Sequence, residues 1–160
     1  MIAPPGGAGD FLAAGDGEAL WFAGGRITHK ATGADHGGRL MVAEVVAPRG
    51  TGSPLHVHEY EDESWYVLDG ELTFWLGDRV LTATAGSFVT GRRGTPHRFR
   101  VESAQATFLD LMTPAGFESF VRSTGWPATA DGPPPEGLPT RDGGEVDAAV
   151  RAAGLTLLAG

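Results

Sequence analysis

Short apolar or β-branched runs recur every eight to twelve residues from Ala19 onward: ALWF, RITHKAT, RLMVAEVV, SWYVL, LTFWL, RVLTAT, SFVT, HRFRV and ATFLDLM, with Gly, Asp and Pro between them. That spacing predicts an all-β protein, a sandwich or barrel of short strands. Within SWYVLDGELTFWL, Asp69-Gly70 predicts a two-residue type I′ turn, which sets Leu68 opposite Glu71 and Val67 opposite Leu72. The period-two rule then puts Glu63, Trp65, Val67, Leu72, Phe74 and Leu76 on one face of a hairpin, and Tyr66, Thr73 and Trp75 on the other. The first face is apolar except for Glu63. The second is too aromatic for open water, which predicts a covering element or a second subunit and hence a homodimer.

The period changes after Met112. PAGFESFVRSTG places Phe117, Phe120 and Val121 at helical spacing before a stop at Gly125, and GEVDAAVRAAG reads as a second short helix ending at Gly154. The Pro-rich WPATADGPPPEGLPT between them reads as a surface connector. Residues 1–18 are Gly-, Ala- and Pro-rich without any period and predict a flexible N-terminal arm. The expected organisation is that arm, then a single domain over 19–160 whose last part, 115–160, is a helical extension.

Composition narrows the chemistry. The 160 residues suit one domain, and 41% hydrophobic content supports a real core. Twelve Lys plus Arg against 20 Asp plus Glu give a formal net charge of -8, which argues against nucleic acid as a partner. With no Cys, thiolate metal sites, disulfides and Cys nucleophiles are excluded, so any metal is held by His and carboxylate. No apolar run approaches 18 residues, and no basic segment precedes Arg26, so the expectation is a cytoplasmic protein with neither a signal peptide nor a membrane span.

The informative stretch is GTGSPLHVHEYEDESWYVLDG. Residues two apart on a strand point the same way, so His56 and His58 offer two imidazoles to one point inside the barrel. Glu63 comes from the neighbouring strand, and GSFVTGRRGTPH brings in His97. Three imidazoles and one carboxylate make a site for a divalent first-row cation with one or two positions open to water or ligand. Glu63 is preferred over Asp62 because it lies in phase with Trp65 and Val67. Glu59, Glu61 and Asp62 are read as a solvated acidic loop.

These residues resemble the cupin superfamily, whose first motif, G(X)5HXH(X)3,4E(X)6G, is matched at Gly50, His56, His58, Glu63 and Gly70, within residues 50–70. The second, G(X)5PXG(X)2H(X)3N, is matched over residues 86–101 at Gly86, Gly94 and His97, with Arg92 and Val101 standing where Pro and Asn are usual. The resemblance covers about residues 20–125 and implies a double-stranded β-helix, the jelly-roll or cupin barrel, with one or two short C-terminal helices. EDESWYVLDGELTFWLGD, TPAGFESF and AAGLTLLAG are similar to small bacterial quercetin 2,3-dioxygenase-like cupins. That likeness implies one divalent metal per chain (Ni, Fe, Mn or Co, with Zn or Cu also compatible), and dioxygen as co-substrate.

The expected function is a metal-dependent dioxygenase acting on an enolic or phenolic small molecule, with Glu63 as catalytic base. Two alternatives stay open: a non-redox cyclase or isomerase of a polyketide-type compound, and a metal-stabilised ligand-binding module. Trp65, Phe74 and Phe99 are read as inward aromatics that either pack the core or contact a planar substrate. Arg98 and Arg100 are expected to point outward, while Arg92 is left undecided. His29 is read as structural and His36 as solvated.

Overall fold

The computed structural model describes residues 10–159. Of the arm expected over residues 1–18, the first nine residues lie outside the described residues, and 10–17 are exposed. The chain then forms β1 (Glu18–Phe22), β2 (Gly25–Ala31), α1 (Gly33–His36), β3 (Met41–Pro48), β4 (His56–His58), β5 (Asp62–Asp69), β6 (Glu71–Leu76) and β7 (Arg79–Thr84). It continues through β8 (Phe88–Gly91), β9 (His97–Val101), β10 (Gln105–Thr113), α2 (Phe117–Thr124), β11 (Trp126–Pro127), α3 (Gly143–Ala152) and β12 (Leu155–Leu157). A seven-stranded sheet runs β11-β1-β2-β3-β10-β5-β8, and a five-stranded sheet runs β12-β4-β9-β6-β7. Facing one another, they form a double-stranded β-helix.

The alternation read from the sequence explains why the two sheets close. Along β10, Ala106, Phe108, Asp110 and Met112 are buried while Thr107, Leu109 and Leu111 between them are only half-buried. On β5, Glu63, Trp65 and Val67 point inward in the same way. At one end of the barrel Trp65, Val67, Leu72, Phe74, Val101, Ala106 and Phe108 form a filled core, each no more than 1% exposed. A second apolar cluster joins Leu20, Ile27, Met41 and Met112 of the large sheet to Phe117 and Val121 of α2 and Leu155 of β12.

The hairpin expected at Asp69-Gly70 is not formed. β5 pairs with β10 and β8, whereas β6 pairs with β7 and β9, so Asp69-Gly70 is a corner at which the chain crosses between sheets. Gly70 alone takes a positive φ there, 87°, and a Cβ on it would lie 2.5 Å from the Gln105 carbonyl oxygen. Alternation is blind to this difference: two strands that turn the same residues inward satisfy it as neighbours in one sheet or as opponents across the core. Trp65 and Phe74 are opponents, with ring centroids 4.9 Å apart.

The corner also separates the aromatics assigned to one outer face. Tyr66 lies on the outside of the seven-stranded sheet and is 40% exposed, while Trp75 lies on the outside of the other. No single patch contains both. Trp75 is covered within its own chain, by the guanidinium of Arg98 at 4.4 Å and that of Arg100 at 5.5 Å from the ring centroid, a cation–π arrangement.

Candidate metal centre

β4 is only three residues long, and its neighbours fix its orientation. β12 pairs with it on one side, Leu157 with His56 and Leu155 with His58, and on the other side His56 is the register partner of His97. The C-terminal strand, unexpected from the sequence, therefore holds the two-histidine strand in place. Glu63, on β5 of the opposite sheet, pairs with Gly91 of β8. A Cβ at Gly91 would sit 3.3 Å from His97 Nδ1 and 3.4 Å from the Trp65 ring, so the glycine leaves room for the imidazole.

One ligand atom from each of His56, His58, Glu63 and His97 lies within 4.8 Å of the other three. His56 Nδ1 donates to the Pro54 carbonyl at 2.8 Å and His97 Nδ1 to the Thr95 carbonyl at 2.8 Å. Because a carbonyl only accepts, Nδ1 of each ring carries a proton, which fixes the ring and turns its Nε2 toward the centre. His58 Nδ1 donates to the Glu61 carboxylate at 3.3 Å. Its Nε2 faces His56 Nε2 at 3.2 Å and Glu63 Oε2 at 3.1 Å, and His97 Nε2 faces Glu63 Oε2 at 2.9 Å. The point these atoms share can hold either a proton or a divalent cation, and the cation binds as the proton leaves. Donor atoms about 3 Å apart suit metal–ligand bonds of about 2.0–2.2 Å. The donor set therefore fits a divalent first-row cation.

The electrostatics agree with that chemistry. Burial works against the Glu63 carboxylate, but the imidazoles of His56, His58 and His97 that face it hold its pKa well below the ordinary value. Burial likewise disfavours a charged His58, yet Glu61 and Glu63 overcome it and push that histidine up to about 9. Glu61 corrects the sequence reading. It is 4% exposed and fixes the His58 ring instead of lying in a solvated loop. Asp62 does sit toward the surface, accepting from the Arg93 backbone and side chain, and Glu59 is exposed.

A cavity of about 360 Å³ opens beside the cluster, within the range of small-molecule sites. His56 and Glu63 reach it, and Phe22, Phe99, Phe108, Phe117 and Phe120 give it aromatic walls. Val146 and Val150 of α3, with Leu155 and Leu157 of β12, close it from the C-terminal side. Of the three aromatics considered for substrate contact, only Phe99 lines it. Trp65 and Phe74, each 1% exposed, are filled into the core below and do not reach the cavity, a correction that follows from their depth along the strands. Arg92 is exposed and outside the lining, and Arg100 pairs with Glu102 at 2.8 Å. His29 is buried against Glu18, 3.2 Å away, outside the cavity, and His36 is half-buried.

Asp110 escaped the sequence reading. It is 6% exposed, lines the cavity on the same inward row as Phe108 and Met112, and leaves Oδ1 without a hydrogen-bond partner. Burial, reinforced by the charge of Glu63, raises its pKa well above the ordinary carboxyl value. The signal was present in ATFLDLM, where an acid occupies a position whose period demands an apolar side chain.

The cupin domain family matches residues 43–112, the stretch that carries β3 through β10. Quercetin 2,3-dioxygenase of Bacillus subtilis (strain 168) is 30% identical over 90 residues, which are 56% of this chain and 27% of that protein, so the chain spans about a quarter of its relative's length. Over residues 43–112 the chain is cupin-like. Among solved structures, a predicted oxalate decarboxylase from Thermotoga maritima overlays with a TM-score of 0.59 at 22% identity, over 66% of this chain and 99% of that one. A polyketide cyclase from Streptomyces resistomycificus overlays with a TM-score of 0.56 at 23% identity, over 65% and 78%. At those identities the likeness is one of fold, and this protein's chemistry has to be read from its own site. No helix among the described residues is long and apolar enough to cross a membrane.

Proposed function

We propose that this protein is a metal-dependent dioxygenase of a planar, largely apolar enolic or phenolic molecule. The observation that supports the reading best is the convergence of three imidazole Nε2 atoms and one Glu63 oxygen at the edge of an aromatic-walled cavity. His56, His58, Glu63 and His97 would hold the cation, which supplies Lewis acidity and one-electron chemistry with dioxygen when bound. The phenylalanine walls bind and flatten the ring system, and the α3–β12 segment keeps bulk water out. Glu63 is the anion of the cluster and borders the cavity, so it is the group placed to accept the proton that an enol or phenol loses as its oxygen enters the site.

Oxygen uptake by metal-loaded protein offered quercetin tests the reaction class. Consumption stoichiometric with substrate loss is expected, and Glu63→Gln should retain its metal while losing about 10²–10⁴ in turnover, as for a missing general base. Conversion that proceeds undiminished without oxygen moves the assignment to a cyclase or isomerase. A Glu63→Gln protein with wild-type metal and a near wild-type rate eliminates the base role.

A further inference from the structure

Every other inward position in the row that holds Asp110 is apolar: Ala106, Phe108 and Met112. Its register partners are Trp65 on β5 and Ala43 on β3, both buried, and the polar side chain that reaches it from β5 is the Glu63 carboxylate, which leaves Oδ1 unused. Asp110 Oδ1 is buried and unpartnered, and the residue borders the cavity next to Glu63 while standing outside the four-ligand cluster. An unsatisfied buried polar oxygen is destabilising, a penalty that a ligand hydroxyl removes. A carboxyl oxygen accepts that hydrogen bond whether or not its group carries a proton.

We propose that Asp110 is a substrate-positioning residue, accepting a hydrogen bond from a second hydroxyl of the substrate while a first oxygen occupies the centre formed by His56, His58, Glu63 and His97. The proposal rests on the reading of that centre as a metal site. It names the ligand class: a planar apolar skeleton bearing two oxygens on one edge, the second carrying hydrogen. The aromatic walls select the skeleton, and Asp110 selects its orientation.

Binding to cobalt-loaded protein tests this, with the visible spectrum of the ion reporting each titration. The probes are 2-naphthol, with one oxygen, and 2,3-dihydroxynaphthalene, with two. Wild type should prefer the diol by about tenfold, the size of one buried hydrogen bond. Asp110→Asn, which keeps an accepting oxygen, should retain most of the preference. Asp110→Leu should keep its cobalt and its 2-naphthol affinity within about twofold while the preference collapses. A diol preference that survives in Asp110→Leu belongs to chelation by the ion and overturns the proposal, as does a wild type that binds both probes equally or neither. Loss of cobalt from both variants makes Asp110 a support for the ligands instead, and overturns it too. Failure of the underlying reading looks different: wild type itself then takes up no stoichiometric cobalt.

Discussion

The two halves of the barrel are built from the same strands and obey the same alternation, yet they end in opposite ways. β5 gives Glu63 to one half and Trp65 and Val67 to the other, and β10 gives Asp110 to one and Ala106 to the other, with Phe108 at the boundary between them. In the filled half the inward side chains meet across the core and leave nothing for solvent or ligand. In the other half ionisable groups converge beside an open cavity. Packing stabilises the first half outright. The second concentrates buried polar groups, which an apolar barrel tolerates only with partners, and on the proposed reading a cation and a substrate would supply them. Stability and function are thus separated by a few ångströms along a shared strand.

The largest effect that tests this separation is loss of the cation. Elemental analysis of a His56→Ala, His58→Ala double variant should find no stoichiometric metal, with the filled half still folded by circular dichroism, and a full equivalent of metal in that variant would refute the ligand assignment. The converse substitution lies one half away. Phe74→Ala should lower the unfolding free energy by about 3–5 kcal/mol, measured in urea, while each folded chain keeps one cation. A Phe74→Ala protein that is stable but metal-free would mean that the halves are not separable.

The sequence was most legible where period and chemistry coincide. His56, His58, Glu63 and His97 were readable because spacing on strands fixes which side chains converge, and the cupin motifs carry those spacings. Pairing was not readable at Asp69-Gly70, because inward phase does not say whether two strands are neighbours or opponents. For the same reason depth was hidden: Trp65 and Phe74 share the phase of Glu63 but lie in the filled half. Glu61 was misread because a run of acids looks solvated until the His58 ring is placed over it. Asp110 was missed although its phase gave it away.

Smaller effects sharpen the boundary further. Glu61→Ala removes the acceptor that orients His58, and a competitive chelator titration should show metal affinity about 10–100-fold weaker with the fold unchanged. Unchanged affinity would remove Glu61 from the centre. Away from both halves, burial lowers the His29 pKa, with Glu18 on β1 opposing, Arg122 on α2 assisting and Glu118 on α2 opposing. The unfolded histidine titrates near about 6.5, so below that pH the unfolded chain binds the proton more readily, and this contribution to stability is present above about 6.5 and lost as pH falls. Urea midpoints between pH 7.5 and 5 should therefore decline less steeply in His29→Gln than in wild type, and parallel declines would show that His29 carries none of the dependence.

On the proposed reading, four side chains in the open half of this barrel hold one divalent cation. X-ray absorption at the metal edge of protein purified without added chelator, combined with elemental stoichiometry, addresses it most directly. One cation per chain is expected, with nitrogen and oxygen neighbours at about 2.0–2.2 Å and the multiple-scattering pattern of three imidazoles. A metal-free protein that also fails to take up nickel, iron, manganese or cobalt, or a bound ion without imidazole scattering, would contradict the claim.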